Sequence, residues 1–282
     1  MHHRLILTFA ILLIVAVPAA AQTLTFAADQ DNTIWEPIEP DTTLGGIILN
    51  SNGVGPHIFA GRAGDLRRGL VRFDLSGVAP GTEIDQVTLK LFMDRTIAGP
   101  TDVSLHAVTT AWGEGTSNSE VDGGGGGGGG GGALATIGDA TWLHGFFDTD
   151  LWTTPGGDFV AAASATTTVD QAGAYSWTSA QLAADVQAWV DDPSSNHGWI
   201  IVGVEDGDPT DATAKRFISR EGPPDPEVTT PPGGPAPFVP ELLVGVAGDP
   251  IVAIPTLSEW GMGLMMLLLA AFALWRVRRV TA

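Results

Sequence analysis

Apolar and polar residues alternate with a period of two through most of the interior of this chain. Val71, Phe73 and Leu75 fall on one side of a predicted strand, with Leu70, Arg72 and Asp74 on the other. Val87, Leu89, Leu91 and Met93 alternate with Gln86, Thr88, Lys90 and Phe92, and Val103, Leu105 and Ala107 repeat the pattern. Trp199–Val204 predicts a buried strand, and Phe217 and Leu242–Val246 add two more. Short strands separated by Gly, Pro and Asp turns predict an all-β sandwich or barrel. The period changes once. In Ser179–Val190, residues Leu182, Val186, Trp189 and Val190 stand at i, i+4, i+7 and i+8, the stripe of a short amphipathic helix. Thr178 and Gln181 have capping-box spacing at its start, and Asp191-Asp192-Pro193 ends it. Residues 22–246 are therefore expected to form one β-sandwich with one short helix packed on it.

Two low-complexity segments interrupt this domain. Residues 123–132 are ten consecutive glycines, expected to be a disordered loop because ordering glycine without partners is entropically costly. Residues 222–240 contain eight prolines and are expected to be an extended excursion. A strand follows it, which favours a loop inside the domain; its composition would equally suit a stalk. Residues 247–253 form a linker.

Both ends break the pattern. Residues 1–21 join a basic start at Arg4, an apolar run from Leu5 to Val17, and Pro18 before Ala19-Ala20-Ala21. These are the three parts of a signal peptide cut before Gln22. At the other end, the sixteen residues from Trp260 to Trp275 carry no charge and are followed by Arg276-Val277-Arg278-Arg279. A helix over 260–275 would be about 24 Å long, somewhat short of a hydrocarbon core of about 30 Å. The two tryptophans can sit at the interfaces and the arginines can snorkel, so a single transmembrane helix with a cytoplasmic basic end is expected.

Charge narrows the function. All 32 acidic residues lie between the two end segments, against nine of the 13 basic ones, so the exported part carries −23. That excludes nucleic acid as a partner, since its binding rests on phosphate neutralisation. Cysteine is absent, which excludes disulfides, thiol catalysis and Cys-ligated metals. The acidic surplus does supply oxygen ligands for Ca²⁺, the only cofactor the composition suggests and not a required one.

Two segments resemble known families. Ile254-Pro255-Thr256-Leu257-Ser258-Glu259-Trp260-Gly261, the apolar helix and the basic end resemble the IPTL-CTERM protein-sorting signal of Gram-negative bacteria over 254–282. The resemblance implies an exported protein recognised by an exosortase-type membrane enzyme and passed to the cell surface. Ile254, Pro255, Thr256, Leu257, Trp260, Gly261, Arg276, Arg278 and Arg279 are then a substrate site for that enzyme. Pro255 lacks an amide hydrogen and biases Ile254 toward extended backbone, an approach a processing enzyme can grip. The domain itself resembles a DNRLRE domain in the succession RRGLVRFDLSGVAPGTEIDQVTLKLFM, VSLHAVTTAWGEGTS, ATW, YSWTSAQLAADVQAWVDDPSSNHGWIIVG, KRFISRE and PELLVGV. That resemblance implies a jelly-roll-like β-sandwich on exported and surface proteins, some grouped with carbohydrate-binding modules or found beside polysaccharide-degrading enzymes. The glycine run and the proline-rich insertion after Glu221 depart from its pattern.

No catalytic motif is present: there is no H-E-x-x-H, G-x-S-x-G, Walker loop or dinucleotide fingerprint. Glu114 with Asp139 or Asp158 could be read as glycosidase carboxylates, but nothing raises them above the other acids. His57, His106, His144 and His197 have no metal-ligand spacing. Asp29 and Asp31, Asp148 and Asp150, and Asp206 and Asp208 form dense oxygen clusters in predicted loops, readable as calcium ligands or as ordinary solvated turns. Arg68, Arg72, Arg216 and Arg220 would make a cationic patch for an acidic glycan if their strands were neighbours; otherwise they pair with the abundant carboxylates. Trp112, Trp142 and Trp152 could stack on sugar rings or be buried at the edge of the sandwich. The reading is a non-enzymatic exported surface protein that binds extracellular polysaccharide or serves as a structural or adhesive module. The alternative is a polysaccharide-acting enzyme with an unidentified carboxylate pair.

Overall fold

The computed structural model describes residues 22–37, 48–121, 130–208, 210–222, 238–247 and 257–280, the last with side chains for 263–276, 278 and 279. The signal peptide, most of the glycine run, most of the proline-rich segment, residues 248–253 of the linker, and Ile254, Pro255 and Thr256 lie outside the described residues. Gln22–Ala247 form one compact unit, and the carboxy-terminal helix belongs to another.

In the first unit the strands are β1 (Gln22–Trp35), β2 (Asn50–Ser51), β3 (His57–Ala63), β4 (Asp65–Phe73), β5 (Ile84–Thr96), β6 (Thr101–Ala107) and β7 (Ala133–Leu134). Next come β8 (His144–Phe146), β9 (Asp150–Leu151), β10 (Ala165–Val169), β11 (Gly173–Thr178) and helix α1 (Ala180–Asp191). β12 (Trp199–Val202), β13 (Lys215–Ile218) and β14 (Glu241–Val246) complete it. Six of these close a circuit in the order β1-β14-β5-β13-β3-β4 and back to β1. From it, β12, β6 and β10 extend beyond β4, and β11 pairs with β5. The pairings are antiparallel, as expected for alternating strands joined by short turns.

The all-β expectation holds, but the jelly-roll-like sandwich gives way to a barrel-like sheet with extra strands. The reason lies in β1, which is 14 residues long. Gln22–Ala27 pair with β14 and Ala28–Trp35 pair with β4, with a bulge between Ala28 and Gln30 where the partner changes. A bulge bends its strand, so β1 serves both sides and removes what would have been two open edges. β14 is hydrogen-bonded between β1 and β5, so the proline-rich excursion is bounded by strands of one unit. Phe238, at its end, stacks on Phe92 with ring centroids 4.0 Å apart.

The main core holds the inward residues predicted from the strand pattern, among them Val71, Phe73, Leu89, Leu91, Met93, Leu105, Trp199 and Phe217, and Trp177 joins them. Helix α1 adds Leu182, Val186, Trp189 and Val190 to it. Its N-cap is Ser179, whose hydroxyl accepts from the Leu182 amide at 2.9 Å, rather than Thr178. Thr178 is still the last residue of β11 and donates to the Val87 carbonyl, so its hydroxyl is already engaged. A second cluster, Ile34, Leu70, Val108, Trp112, Ala140, Trp142, Trp152 and Ile200, lies apart from the first. Leu70 and Ile200 belong to it while their neighbours Val71 and Trp199 belong to the main core, so β4 and β12 are covered on both faces.

The glycine run is not wholly loose. Gly130 accepts from the Trp35 indole at 3.1 Å and Gly131 from the Asn50 amide at 2.8 Å, so the last glycines are held where disorder was expected through 132.

The other unit contributes α2 (Leu257–Val280), 24 residues with Arg278 and Arg279 in its last turn. Helix forms where the apolar run predicts it. The expected transmembrane span over 260–275 is not carried, however: among the described residues, no helix is long and apolar enough to cross a membrane. The physical limit is the sixteen-residue uncharged run, closed by Glu259 on one side and Arg276 on the other. Arg279 folds back over the Trp275 ring at 4.1 Å.

Candidate functional site

A cleft of about 510 Å³ opens where β1 passes to its second partner. Its volume falls in the range of small-molecule sites, about 300–1,000 Å³. The end of β4 and the turn after it supply Arg72, Asp74, Leu75, Ser76 and Val78; α1 supplies Trp189 and Val190; and β1 supplies Asp29. Leu75, Val78, Trp189 and Val190 are core residues, so the floor is apolar and packed from beneath. Asp29 sits at the β1 bulge, between the pairs Ala28↔Phe73 and Gln30↔Arg72. The extra residue turns its carboxylate toward Arg72, which donates to it from Nη2 at 2.6 Å and from Nε at 3.4 Å. The pair keeps 36% and 29% exposure, so both groups remain accessible. Asp74 accepts from the Ser76 amide at 2.9 Å, and that bond, with the Ser76 hydroxyl, holds its pKa below the usual value. Next to the lining residue Asn196, His197 has its pKa pushed down by burial and then by the charge of Arg72.

The four arginines singled out from the sequence do not form one patch. β3 lies between β4 and β13, and each guanidinium is chelated by a carboxylate. Arg68 grips Glu205 with two bonds of 2.7 Å and donates to the Gly156 carbonyl, lying over the Trp142 and Phe159 rings at 4.7 and 5.3 Å. Arg216 chelates Asp94 at 2.9 and 2.6 Å. Arg220 chelates Glu114 at 2.6 and 2.7 Å. Of the four, only Arg72 lines the cleft. Trp112, Trp142 and Trp152 are buried in the second cluster. The Trp112 and Trp152 indoles donate to the carbonyls of His197 and Thr141, both at 2.8 Å, so these rings are packed rather than presented.

The acidic clusters also separate. Asp29 is taken by Arg72, Asp148 sits in the β8–β9 turn with Asp150 opening β9, and Asp208 accepts from Thr210. Asp206 is exposed beside it. Among the described residues, no group of three or more His, Asp or Glu side chains is arranged to hold a metal ion. Asp31 is fully buried, accepting from the Arg220 amide through Oδ2 at 2.7 Å; Oδ1 has no partner among the described residues. Burial first, and then the Glu221 carboxylate, push its pKa well above the ordinary 3.8.

A raised folded-state pKa means that the fold holds the Asp31 proton. This stabilisation is complete below the unfolded pKa and is lost as pH rises through the folded one. Glu221, raised by burial, acts in the same direction. Asp31→Asn keeps an acceptor for Arg220 and removes the group that ionises. The variant is expected to be more stable than the parent at neutral pH and indistinguishable near pH 3. Urea midpoints measured across that range check this, and parallel curves for the two proteins would refute it.

The carboxylates that could have formed a glycosidase pair are engaged in loop structure. Asp139 accepts from the amides of Thr116, Ser117 and Thr136, and Asp158 from those of Thr153 and Thr154. Arg72 and Asp29, expected from the sequence in different roles, glycan and metal, meet here, and Asp74, Ser76 and Trp189 join them without a sequence signal for a site. The Asp-x-Ser spacing after β4 is a local signal for the Asp74 turn. Nothing local marks the bulge that brings Asp29 to Arg72.

Residues 252–279 match the IPTL-CTERM motif, which supports an exported protein sorted by an exosortase-type system. No curated protein matches the chain.

Proposed function

We propose that this chain is a non-enzymatic surface protein whose 22–247 unit serves as a structural or adhesive module, delivered by an exosortase-type enzyme acting on its carboxy-terminal signal. The observation that carries the reading is the motif match over 252–279. Helix α2, with Arg278 and Arg279 in its last turn, overlaps that match and belongs to the delivery signal. A structural module needs no cofactor. The loop-holding roles of Glu114, Asp139 and Asp158 favour this reading over a polysaccharide-acting enzyme, because a carboxylate tied into several amides or a guanidinium is poorly placed to exchange protons.

The test is processing in the native cell. Trp260→Ala combined with Arg278→Gln and Arg279→Gln is expected to leave a full-length, cell-retained precursor on immunoblots of fractionated cells. A processed product of normal size at the surface of the variant would remove the reading.

Glycan contact is the second reading. The cleft at Arg72 favours it, as does the likeness of the strand segments to DNRLRE domains. Trp112, Trp142 and Trp152 are buried and Arg68, Arg216 and Arg220 are chelated, so these residues do not support glycan contact elsewhere.

A further inference from the structure

The composition of the cleft narrows its ligand, on the premise that the surface module contacts glycans. Arg72 spends Nε and Nη2 on Asp29; among the described residues Nη1 makes no hydrogen bond. Three N–H donors of a partly exposed guanidinium, two of them on Nη1, therefore remain for acceptor oxygens. Asp29 and Asp74 both line the same cleft, so acceptors for hydroxyl donors stand on either side of the arginine. One cation against two carboxylates leaves the cleft at −1, in an exported part already at −23. A uronate or sulfate would meet that field, and would have to share the single positive charge of Arg72 with Asp29. A neutral pyranose meets neither obstacle. One hydroxyl can donate to a carboxylate while its neighbour accepts from Nη1. The ring's C–H face can lie on the apolar floor of Leu75, Val78, Trp189 and Val190.

We propose that the cleft between the end of β4 and α1 binds a neutral sugar residue of a polysaccharide through Arg72, Asp29 and Asp74, and discriminates against acidic sugars.

The test is affinity electrophoresis of the full chain in detergent micelles, through gels containing dextran, mannan or xyloglucan, and in parallel alginate or polygalacturonate. Retardation by at least one of the neutral polymers and by neither acidic one is expected. Arg72→Gln should weaken that retardation at least tenfold. Because Arg72→Gln also breaks the pair with Asp29, Ser76→Trp serves as a second variant: Ser76 is exposed, and an indole there fills the cleft while leaving Arg72 paired. It should weaken binding as much. Lys90→Gln, in an exposed pair on β5 outside the cleft, should leave it unchanged. Thermal unfolding confirms that each variant is folded. Retardation by acidic polymers alone would overturn the neutral-sugar assignment while leaving glycan contact standing. No retardation by any polymer would overturn both, with surface delivery still judged by processing. Retardation unaltered in folded Ser76→Trp would overturn the placement in this cleft.

Discussion

Trp199→Ala is expected to destabilise the 22–247 unit by about 3–5 kcal/mol, the range for removing a large buried aromatic side chain. Trp199 is fully buried on β12, with Val71 of β4 opposite on one side and Ala107 of β6 on the other. Its ring lies 4.5 Å from that of Trp189 on α1 and 6.3 Å from that of Phe73 on β4, so it joins the helix to the sheet. Its indole donates to Asp185 Oδ2 at 3.0 Å, and Asp185 is itself buried. Alanine therefore leaves a cavity and strips one oxygen of a buried carboxylate of its donor. Trp199→Phe separates the two effects, since it restores most of the volume without the N–H. It should cost about 1–3 kcal/mol, the penalty for an orphaned buried group. Urea unfolding of both variants checks the order, and equal losses would mean that packing against Trp189 contributes little. Because Trp189 also floors the cleft, Trp199→Ala should weaken any ligand held there.

Asp139→Ala is the second large effect, expected at about 2–4 kcal/mol from several backbone donors losing one buried acceptor. The Asp139 carboxylate is fully buried and takes amide hydrogens from Thr116 at 2.8 Å, Ser117 at 3.3 Å and Thr136 at 2.6 Å, with the Thr136 hydroxyl at 3.2 Å. It thus ties the segment after Glu114 to the segment after β7. Gly115 makes the approach possible: its φ is +70°, and a Cβ there would stand 1.4 Å from Asp139 Oδ1. Hydrogen exchange should accelerate at the amides of Ser117 and Thr136 before the sheet opens, because the loss is local to these loops. Asp139→Asn keeps one acceptor oxygen and should fall between. If Asp139→Ala unfolded like the parent, the carboxylate would be free for another role, and the enzymatic reading of this acid would regain ground.

Much of the strand content was legible because alternation reports which side chains face a core, whatever that core turns out to be. Val71, Phe73, Leu89, Leu91 and Met93 are in the main core as the period of two demands. The helix was legible for the same reason, and its cap was displaced by one residue because Thr178 is claimed by a β-ladder invisible to a local rule. The closing of the sheet was not legible. It depends on β1 changing partners at one bulge, and no residue type announces that. The second cluster was legible only in part: burial of Trp112, Trp142 and Trp152 was one of two readings, but Leu70 and Ile200 look like ordinary members of strands, and nothing local shows that these loops fold over them.

The sequence by itself determined where this protein is sent and the kind of fold it adopts. Both are written in local signals, a linear motif read by another enzyme and a periodicity set by backbone geometry. Tertiary structure alone decided which of its charged groups remain available. Pairing follows distance in space rather than along the chain: Arg68 meets Glu205, Arg216 meets Asp94 and Arg220 meets Glu114, each across more than a hundred residues. Arg72 meets Asp29 at the bulge, in the one arginine-carboxylate pair of the four that lines the cleft.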